Sequence, residues 1–311
     1  MKFFKRALEK IHNKVFASFN VKQDSILMLS GLHYMQNLLA NDKVKKITDA
    51  EFKVYSQWGE DGIIAFLVSK LNIKNKVFIE FGVEDYTESN TRFLLKQFNW
   101  SGLVIDGSKE NIEYINNDEI MWRYNLSTLQ AFINKDNINE LISAYTSEKD
   151  IGLLSIDIDG NDFWVWKAIN VINPRIVICE YNNLFGGDLS LTIPYDSSFV
   201  RNKSHYSNLY FGASISALKG LAVEKGYVYI GSNSSGCNAF FVRKDLVSQL
   251  PIEVNNNFVK SNVRESRDKK GKLNYIDKSQ QLNEIKDMSL LDIESNSIKK
   301  ISEIFSLKNI R

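Results

Sequence analysis

Residues 76–108 read KVFIEFGVEDYTESNTRFLLKQFNWSGLVIDGS, and this stretch decides the fold of the chain. It opens with an apolar run of β-formers at 77–79, which is typical of a buried parallel strand. Gly82 follows, and a glycine lets the backbone turn sharply. A helical pattern then leads to a second apolar run at 103–105, which ends on Asp106. Strand, helix and strand in this order predict one unit of a parallel α/β sheet.

The rest of the chain predicts more strands for this sheet. Apolar runs indicate a third strand at 129–133, a fourth at 151–156 and a fifth at 175–179. Two later runs, at 227–230 and 239–242, are joined by a short connection and must therefore be antiparallel. We expect an α/β fold with a mostly parallel sheet and an antiparallel hairpin at its C-terminal end. Around it we expect three parts: a helical N-terminal extension at 1–54, a ligand-binding domain at 55–250 and a C-terminal helical extension at 251–311.

An acidic residue at the tip of the second strand predicts a nucleoside site. A carboxylate there can accept two hydrogen bonds from a ribose diol, so we assign Asp106 to the ribose of an adenosyl ligand. The turn after the third strand would lie beside the adenine of this ligand. Asp136 and Asn137 in that turn either bind the exocyclic amine of the adenine or cap the next helix. The residues predicted to bind this ligand are Glu80, Gly82, Glu84, Asn90, Thr91, Asp106, Gly107, Ser108, Asp136 and Asn137.

Composition sets the broad class of the protein. The chain has 311 residues, 44% of them apolar and 24% charged, with a formal net charge of +2. No basic stripe interleaved with aromatics occurs, so nucleic-acid binding is not predicted. We predict a cytoplasmic protein from three observations. The two cysteines lie within or beside apolar runs, no apolar run is long enough to cross a membrane, and no signal-peptide pattern occurs.

Residues 1–20 have the pattern of a basic amphipathic helix. Two interpretations stay open. The helix either makes a peripheral contact with an anionic membrane, or it packs against the domain or a second subunit of a homo-oligomer.

Five stretches carry a resemblance to a known family: SQWGEDGII, FIEFGVEDYTESNT, SIDIDGNDFWVWKAI, ICEYN and NAFFVRKDL. Together they span about residues 55–247 and resemble the FkbM-type branch of class I S-adenosylmethionine-dependent methyltransferases. The resemblance implies a Rossmann-like methyltransferase fold, S-adenosylmethionine as cofactor and methyl transfer to a hydroxyl of a sugar, glycan precursor or related small metabolite. One departure is that only Gly82 follows the first strand, where this class commonly has two or three glycines.

Acidic residues follow four of the predicted parallel strands: Glu80, Asp106, Asp157, Asp159 and Glu180. Like charges gathered in a crevice repel, and a sulfonium cation with two ribose hydroxyls would relieve that repulsion. By resemblance to metal-dependent O-methyltransferases, Asp157, Glu180 and Asn182 also form a candidate Mg²⁺ site, although Tyr181 separates the last two. The alternative is that Asp157 and Asp159 cap the next helix and Glu180 contacts the substrate.

Without a metal, a general base must take the proton of the acceptor hydroxyl. His205 lies in a long predicted loop at 184–208 and has a suitable side chain; Asp157 and Asp159 are competing candidates. Two other functions also fit the sequence. One is a degenerate binding module without catalysis, and the other is a metal-dependent enzyme that modifies sugar nucleotides.

Overall fold

The computed structural model describes residues 23–40, 43–254 and 257–306. The amphipathic pattern at 1–20 lies outside these residues, so the two interpretations of it stay predictions. No helix in the described part of the chain has the length and apolar character needed to cross a membrane.

A seven-stranded sheet forms the centre of the molecule. Its strands are β1 (Val77–Phe81), β2 (Ser101–Asp106), β3 (Leu126–Gln130), β4 (Leu153–Ile156), β5 (Ile176–Glu180), β7 (Tyr227–Ser232) and β8 (Asn238–Arg243). They lie in the order β3-β2-β1-β4-β5-β8-β7. β1 to β5 are parallel, whereas β8 pairs antiparallel with both β5 and β7. The predicted parallel sheet with an antiparallel hairpin is confirmed.

Helices cover both faces of the sheet. The described helices of four residues or more are α1 (residues 23–40), α2 (Glu60–Lys70), α3 (Arg92–Phe98), α4 (Lys109–Asn117), α5 (Ile120–Arg123), α6 (Ile138–Tyr145), α7 (Asp162–Ala168), α8 (Arg201–Ser204), α9 (Ile215–Glu224), α10 (Lys278–Glu284) and α11 (Ile301–Ile304), with 3-10 turns at Ile47–Ala50 and Lys244–Gln249. Alternate strand residues enter opposite cores: Phe78 packs with α2 and α3, and Ile79 packs with α6, α7 and α9. Burial on both faces explains why the strands are continuously apolar.

The predicted bounds of the third strand were wrong. β3 begins and ends about three residues before the predicted 129–133, because the Asn134 side chain accepts hydrogen bonds from the backbone N–H groups of Asp136 and Asn137 and turns the chain away. Before β3 the chain forms two helices, α4 and α5, and not one, since it breaks at Asp118, whose carboxylate accepts from Ile120 N at 2.8 Å.

The C-terminal region is not purely helical as expected. Between α10 and α11 it forms a hairpin of β9 (Ser289–Asp292) and β10 (Ser297–Lys300), and β9 pairs with β6 (Leu191–Thr192). Asn296 closes this hairpin in the left-handed conformation (φ +50°), which asparagine tolerates well. The predicted long loop at 184–208 is therefore partly structured, because it contributes β6 and α8 to a small second layer.

Candidate active site

A cleft of about 1260 Å³ opens at the carboxyl edge of the parallel strands. It is lined by the ends of β1, β2, β4 and β5 and by residues of the C-terminal segments 260–267 and 277–281. Ligands of open α/β sheets bind at this edge. The cleft therefore brings together most of the residues that the sequence singled out.

Gly82 lets the chain leave β1 beside the end of β4. Its φ is +69°, and a Cβ added to it would lie 1.6 Å from the carbonyl oxygen of Asp157. Its N–H donates to the carbonyl of Ile105 at 2.9 Å. A side chain at this position is therefore excluded both by contact and by backbone conformation.

Glu80 is held by the start of α3. Its two carboxylate oxygens accept from Asn90 N at 2.8 Å, Thr91 N at 3.1 Å and Thr91 Oγ1 at 2.5 Å. Burial raises the pKa of Glu80 to about 7, although these hydrogen bonds oppose the shift. Asn90 lines the cleft and donates to Ser155 Oγ. Thr91 is fully buried behind Glu80, so it positions that carboxylate and does not reach the cleft.

Asp106 faces the cleft with three of its acceptor positions already in use. Ser108 N and Asn111 Nδ2 donate to Oδ1 at 2.8 and 3.1 Å, and Glu84 N donates to Oδ2 at 2.9 Å. A carboxylate offers about four such positions. Asp106 therefore retains room for one ligand hydroxyl, not for the two expected from the sequence. Asn111, which also lines the cleft, has no sequence signal beyond its place in an amphipathic helix.

The residues predicted at the adenine edge lie outside the cleft lining. Asp136 accepts a hydrogen bond from Tyr195 OH at 3.0 Å. Asn137 donates to the carbonyl of Phe132 at 2.9 Å and accepts from Asn134 N, although it makes no side-chain cap for α6. The corrected β3 end explains the difference, because residues 131–133 now line the cleft in their place.

His205 also lies outside the cleft lining. Its Nδ1 is 2.7 Å from Ser207 Oγ, and its ring packs 4.4 Å from that of Tyr206. Burial lowers the pKa of this imidazole. The role of His205 as the base stays a prediction. In this arrangement α8 ends just before His205, and Arg201 lines the cleft instead.

Asp157, Asp159 and Glu180 converge at the ends of β4 and β5. Each offers a carboxylate oxygen within 4.8 Å of the others. Burial raises the pKa of both Asp157 and Glu180. The charges of Asp159 and Asp162 raise the pKa of Asp157 further, and the charge of Asp157 raises that of Glu180. One oxygen of Glu180 is buried without a hydrogen-bond partner among the described residues. This pair holds a proton more readily than ordinary carboxylates do.

Arg201 is the functional residue that sequence reasoning missed. It pairs with Asp159, donates from Nε to the carbonyl of Asn208 at 2.7 Å, and lies 3.6 Å from the ring centre of Phe211. Asp159 is 42 positions away from Arg201 in sequence, so no local sequence pattern predicts that the two side chains pair.

The predicted metal set needs one correction. Asn182 is used to support the site, since its Nδ2 donates to the carbonyls of Leu209 and Phe211 and its Oδ1 accepts from Leu184 N. Asp159 takes its place beside Asp157 and Glu180. Three carboxylates suit a hard cation such as Mg²⁺, and Arg201 supplies competing positive charge at the same place.

Parallel strands in this order, with an antiparallel strand between the last parallel one and the edge, define the Rossmann-like methyltransferase fold. No protein-family model matches the chain, and no curated protein sequence does. Solved structures with a similar shape include the N-terminal domain of EvdMO1 with S-adenosylhomocysteine bound (10% identity, 59% of this chain, 80% of that chain, TM-score 0.39). Another is an S-adenosylmethionine-dependent methyltransferase from Clostridium acetobutylicum ATCC 824 (9% identity, 60% and 92% covered, TM-score 0.39). These likenesses are remote, so the case for function rests on the site.

Proposed function

We propose that this chain is an FkbM-type, S-adenosylmethionine-dependent O-methyltransferase that acts on a hydroxyl of a sugar, glycan precursor or related small metabolite. The observation that carries the proposal is the acidic edge of the cleft. Seven carboxylates line it: Glu80, Glu84, Glu88, Asp106, Asp157, Asp159 and Glu180. Such an edge favours a ligand with a positive charge and hydroxyl donors, and the sulfonium cofactor has both.

The cofactor fits this edge in one direction. Its ribose would lie against Asp106, with the adenine toward residues 131–133. Its amino-acid end would lie beside Gly82, whose missing side chain lets the ligand approach the backbone. The methyl group would then point toward Asp157 and Glu180, next to the acceptor side of the cleft.

Transfer is a single displacement. The acceptor oxygen forms a bond to the methyl carbon as the carbon–sulfur bond breaks, the electron pair goes to sulfur, and the hydroxyl proton passes to a carboxylate. The ionised form of Asp157 suits this role, because a carboxylate whose pKa is raised is a stronger base than an ordinary aspartate. Arg201 holds Asp159 beside it. If Mg²⁺ binds, Asp157, Asp159 and Glu180 would hold it, and it would lower the pKa of the acceptor hydroxyl.

Methyl transfer from labelled S-adenosylmethionine to a panel of sugars and sugar phosphates tests this proposal. We expect Asp157→Asn to lower kcat by roughly 100-fold while the affinity for S-adenosylhomocysteine changes little, because the amide keeps the shape but loses the base. Asp196→Asn, at an exposed aspartate outside the cleft, is the matched control. An Asp157→Asn protein as active as the wild type would remove Asp157 from the reaction.

A further inference from the structure

The C-terminal segments that line the cleft are basic. Four cationic side chains of these segments line the cleft: Lys260, Arg264, Arg267 and Lys278. Only two carboxylates from the same segments, Glu265 and Asp277, accompany them. We call these four residues the basic wall. The lining of the cleft is thus polarised, with carboxylates at the strand ends and an excess of positive charge on the C-terminal segments.

The basic wall is fixed to the sheet by Asn183, three residues beyond β5. The Asn183 side chain donates to the carbonyls of Gly236 and Val259 at 3.0 and 2.7 Å and accepts from Ser261 N at 3.1 Å. Its own carbonyl accepts from Lys278 Nζ at 2.9 Å. Three of these four hydrogen bonds join Asn183 to the two basic segments, and the fourth joins it to Gly236. Contacts within the chain therefore hold both segments beside the end of β5.

Three of the four cations, Lys260, Arg264 and Lys278, form no ion pair among the described residues, and of these Arg264 donates to the backbone carbonyl of Tyr275. Burial lowers the pKa of Lys278, and the nearby charge of Lys260 lowers it further. By contrast, Arg267 is paired with Glu265 at 3.5 Å. Two ammonium groups that repel each other in a cleft favour a bound anion.

We propose that the acceptor carries a phosphate group, which Lys260 and Lys278 bind while the acceptor hydroxyl points toward Asp157. This inference rests on the proposed function and names its substrate class: a phosphorylated sugar or sugar derivative. A phosphate monoester has a charge of roughly −1.5 to −2 near pH 7. Two ammonium groups balance this charge more closely than they balance the smaller charge of a single carboxylate. The acidic edge repels the same phosphate, so the two parts of the cleft lining orient the acceptor in one direction.

The test is titration of glucose 1-phosphate, glucuronate and glucose into the protein loaded with S-adenosylhomocysteine. We expect glucose 1-phosphate to bind more tightly than glucuronate, and glucose to bind weakest. Lys260→Gln and Lys278→Gln should each weaken the binding of glucose 1-phosphate by roughly tenfold. Lys270→Gln, at an exposed lysine of the same region outside the cleft lining, should leave it unchanged. Added salt should weaken the binding in the wild type more than in either cleft variant.

The result separates this inference from the proposed function. Both lysine variants should bind S-adenosylhomocysteine as the wild type does, because the basic wall is tied to Asn183 beyond β5, and β1 and β4 lie between β5 and the strand that ends on Asp106. Three results would overturn the phosphate site alone. One is that glucuronate binds more tightly than glucose 1-phosphate, and another is that all three lysine variants bind glucose 1-phosphate equally well. The third is that a protein that binds S-adenosylhomocysteine does not bind glucose 1-phosphate. If the wild type does not bind S-adenosylhomocysteine, that result counts against the proposed function. The same three sugars are then titrated into the ligand-free protein, and the phosphate site is tested by the same comparison.

Discussion

At the scale of single residues, Gly82 sets the geometry of the cofactor side. It combines a left-handed backbone (φ +69°) with a position where any Cβ would overlap the Asp157 carbonyl. The only way to accommodate a side chain is to separate the ends of β1 and β4. That movement would displace Glu80 and Asp157 together, so the fold and the site depend on the same glycine.

Gly82→Ala should therefore lower the free energy of unfolding by about 2 kcal/mol or more and weaken S-adenosylhomocysteine binding at least tenfold. Thermal denaturation and calorimetry measure the two effects. Gly220→Ala is the matched control, because Gly220 lies in α9 and nothing lies within 4 Å of an added Cβ. We expect that variant to be more stable by about 0.5 to 1 kcal/mol. A Gly82→Ala protein that resembles the control would contradict the close approach.

At the scale of elements, the residues at the exit from β5, Asn182 and Asn183, position the acceptor side of the cleft. Asn182 ties this exit to the segment at 209–211, and Asn183 ties it to the segment at 259–261. Neighbouring asparagines thus anchor two different walls of the cleft. Their role is structural support of the site, which replaces the metal-binding role predicted for Asn182.

Asn182→Ala should cost about 1 to 3 kcal/mol of stability, because the buried carbonyls of Leu209 and Phe211 lose their donor. The loss should be the same in chelator and in Mg²⁺, as expected for a residue that binds no metal. Chemical denaturation in the two buffers measures it, with Asn170→Ala as an exposed control. A variant that is destabilised only when Mg²⁺ is present would restore Asn182 as a ligand.

The elements also show what sequence can and cannot predict. β1, Gly82 and Asp106 were predicted because apolar runs, turns and strand ends are local signals. The hairpin of β9 and β10 was missed, since its partner β6 lies about 100 residues earlier in the chain. Arg201 and the basic wall were missed for the same reason: Asn183 and Val259 are 76 positions apart, and only the folded chain brings them together.

At the scale of the whole molecule, buried acids make stability depend on pH. Burial raises the pKa of Glu80 to about 7, and those of Asp61 and Asp162 to about 6. The folded state then keeps protons that the unfolded state has released. These groups stabilise the fold fully below pH about 4, and their contribution is lost as the pH rises through 6 to 7.

Comparison of the wild type with Glu80→Gln isolates one of these groups. From pH 5 to pH 8 the wild type should lose stability relative to the variant, by an amount on the order of 3 kcal/mol, since the amide does not titrate. Denaturant unfolding at several pH values measures the difference. Glu148→Gln, at an exposed glutamate, should give a difference that is flat with pH. A relative gain in wild-type stability over this range would show that the folded state lowers the pKa of Glu80.

The central claim is that the acidic edge of the sheet binds the adenosyl cofactor, and calorimetric titration of S-adenosylhomocysteine tests it most directly. The wild type should bind, Asp106→Ala should bind at least tenfold more weakly, and Asp196→Ala should bind as the wild type does, because Asp196 lies outside the cleft. Equal binding by all three proteins would move the ribose away from Asp106. No binding by the wild type would contradict the account.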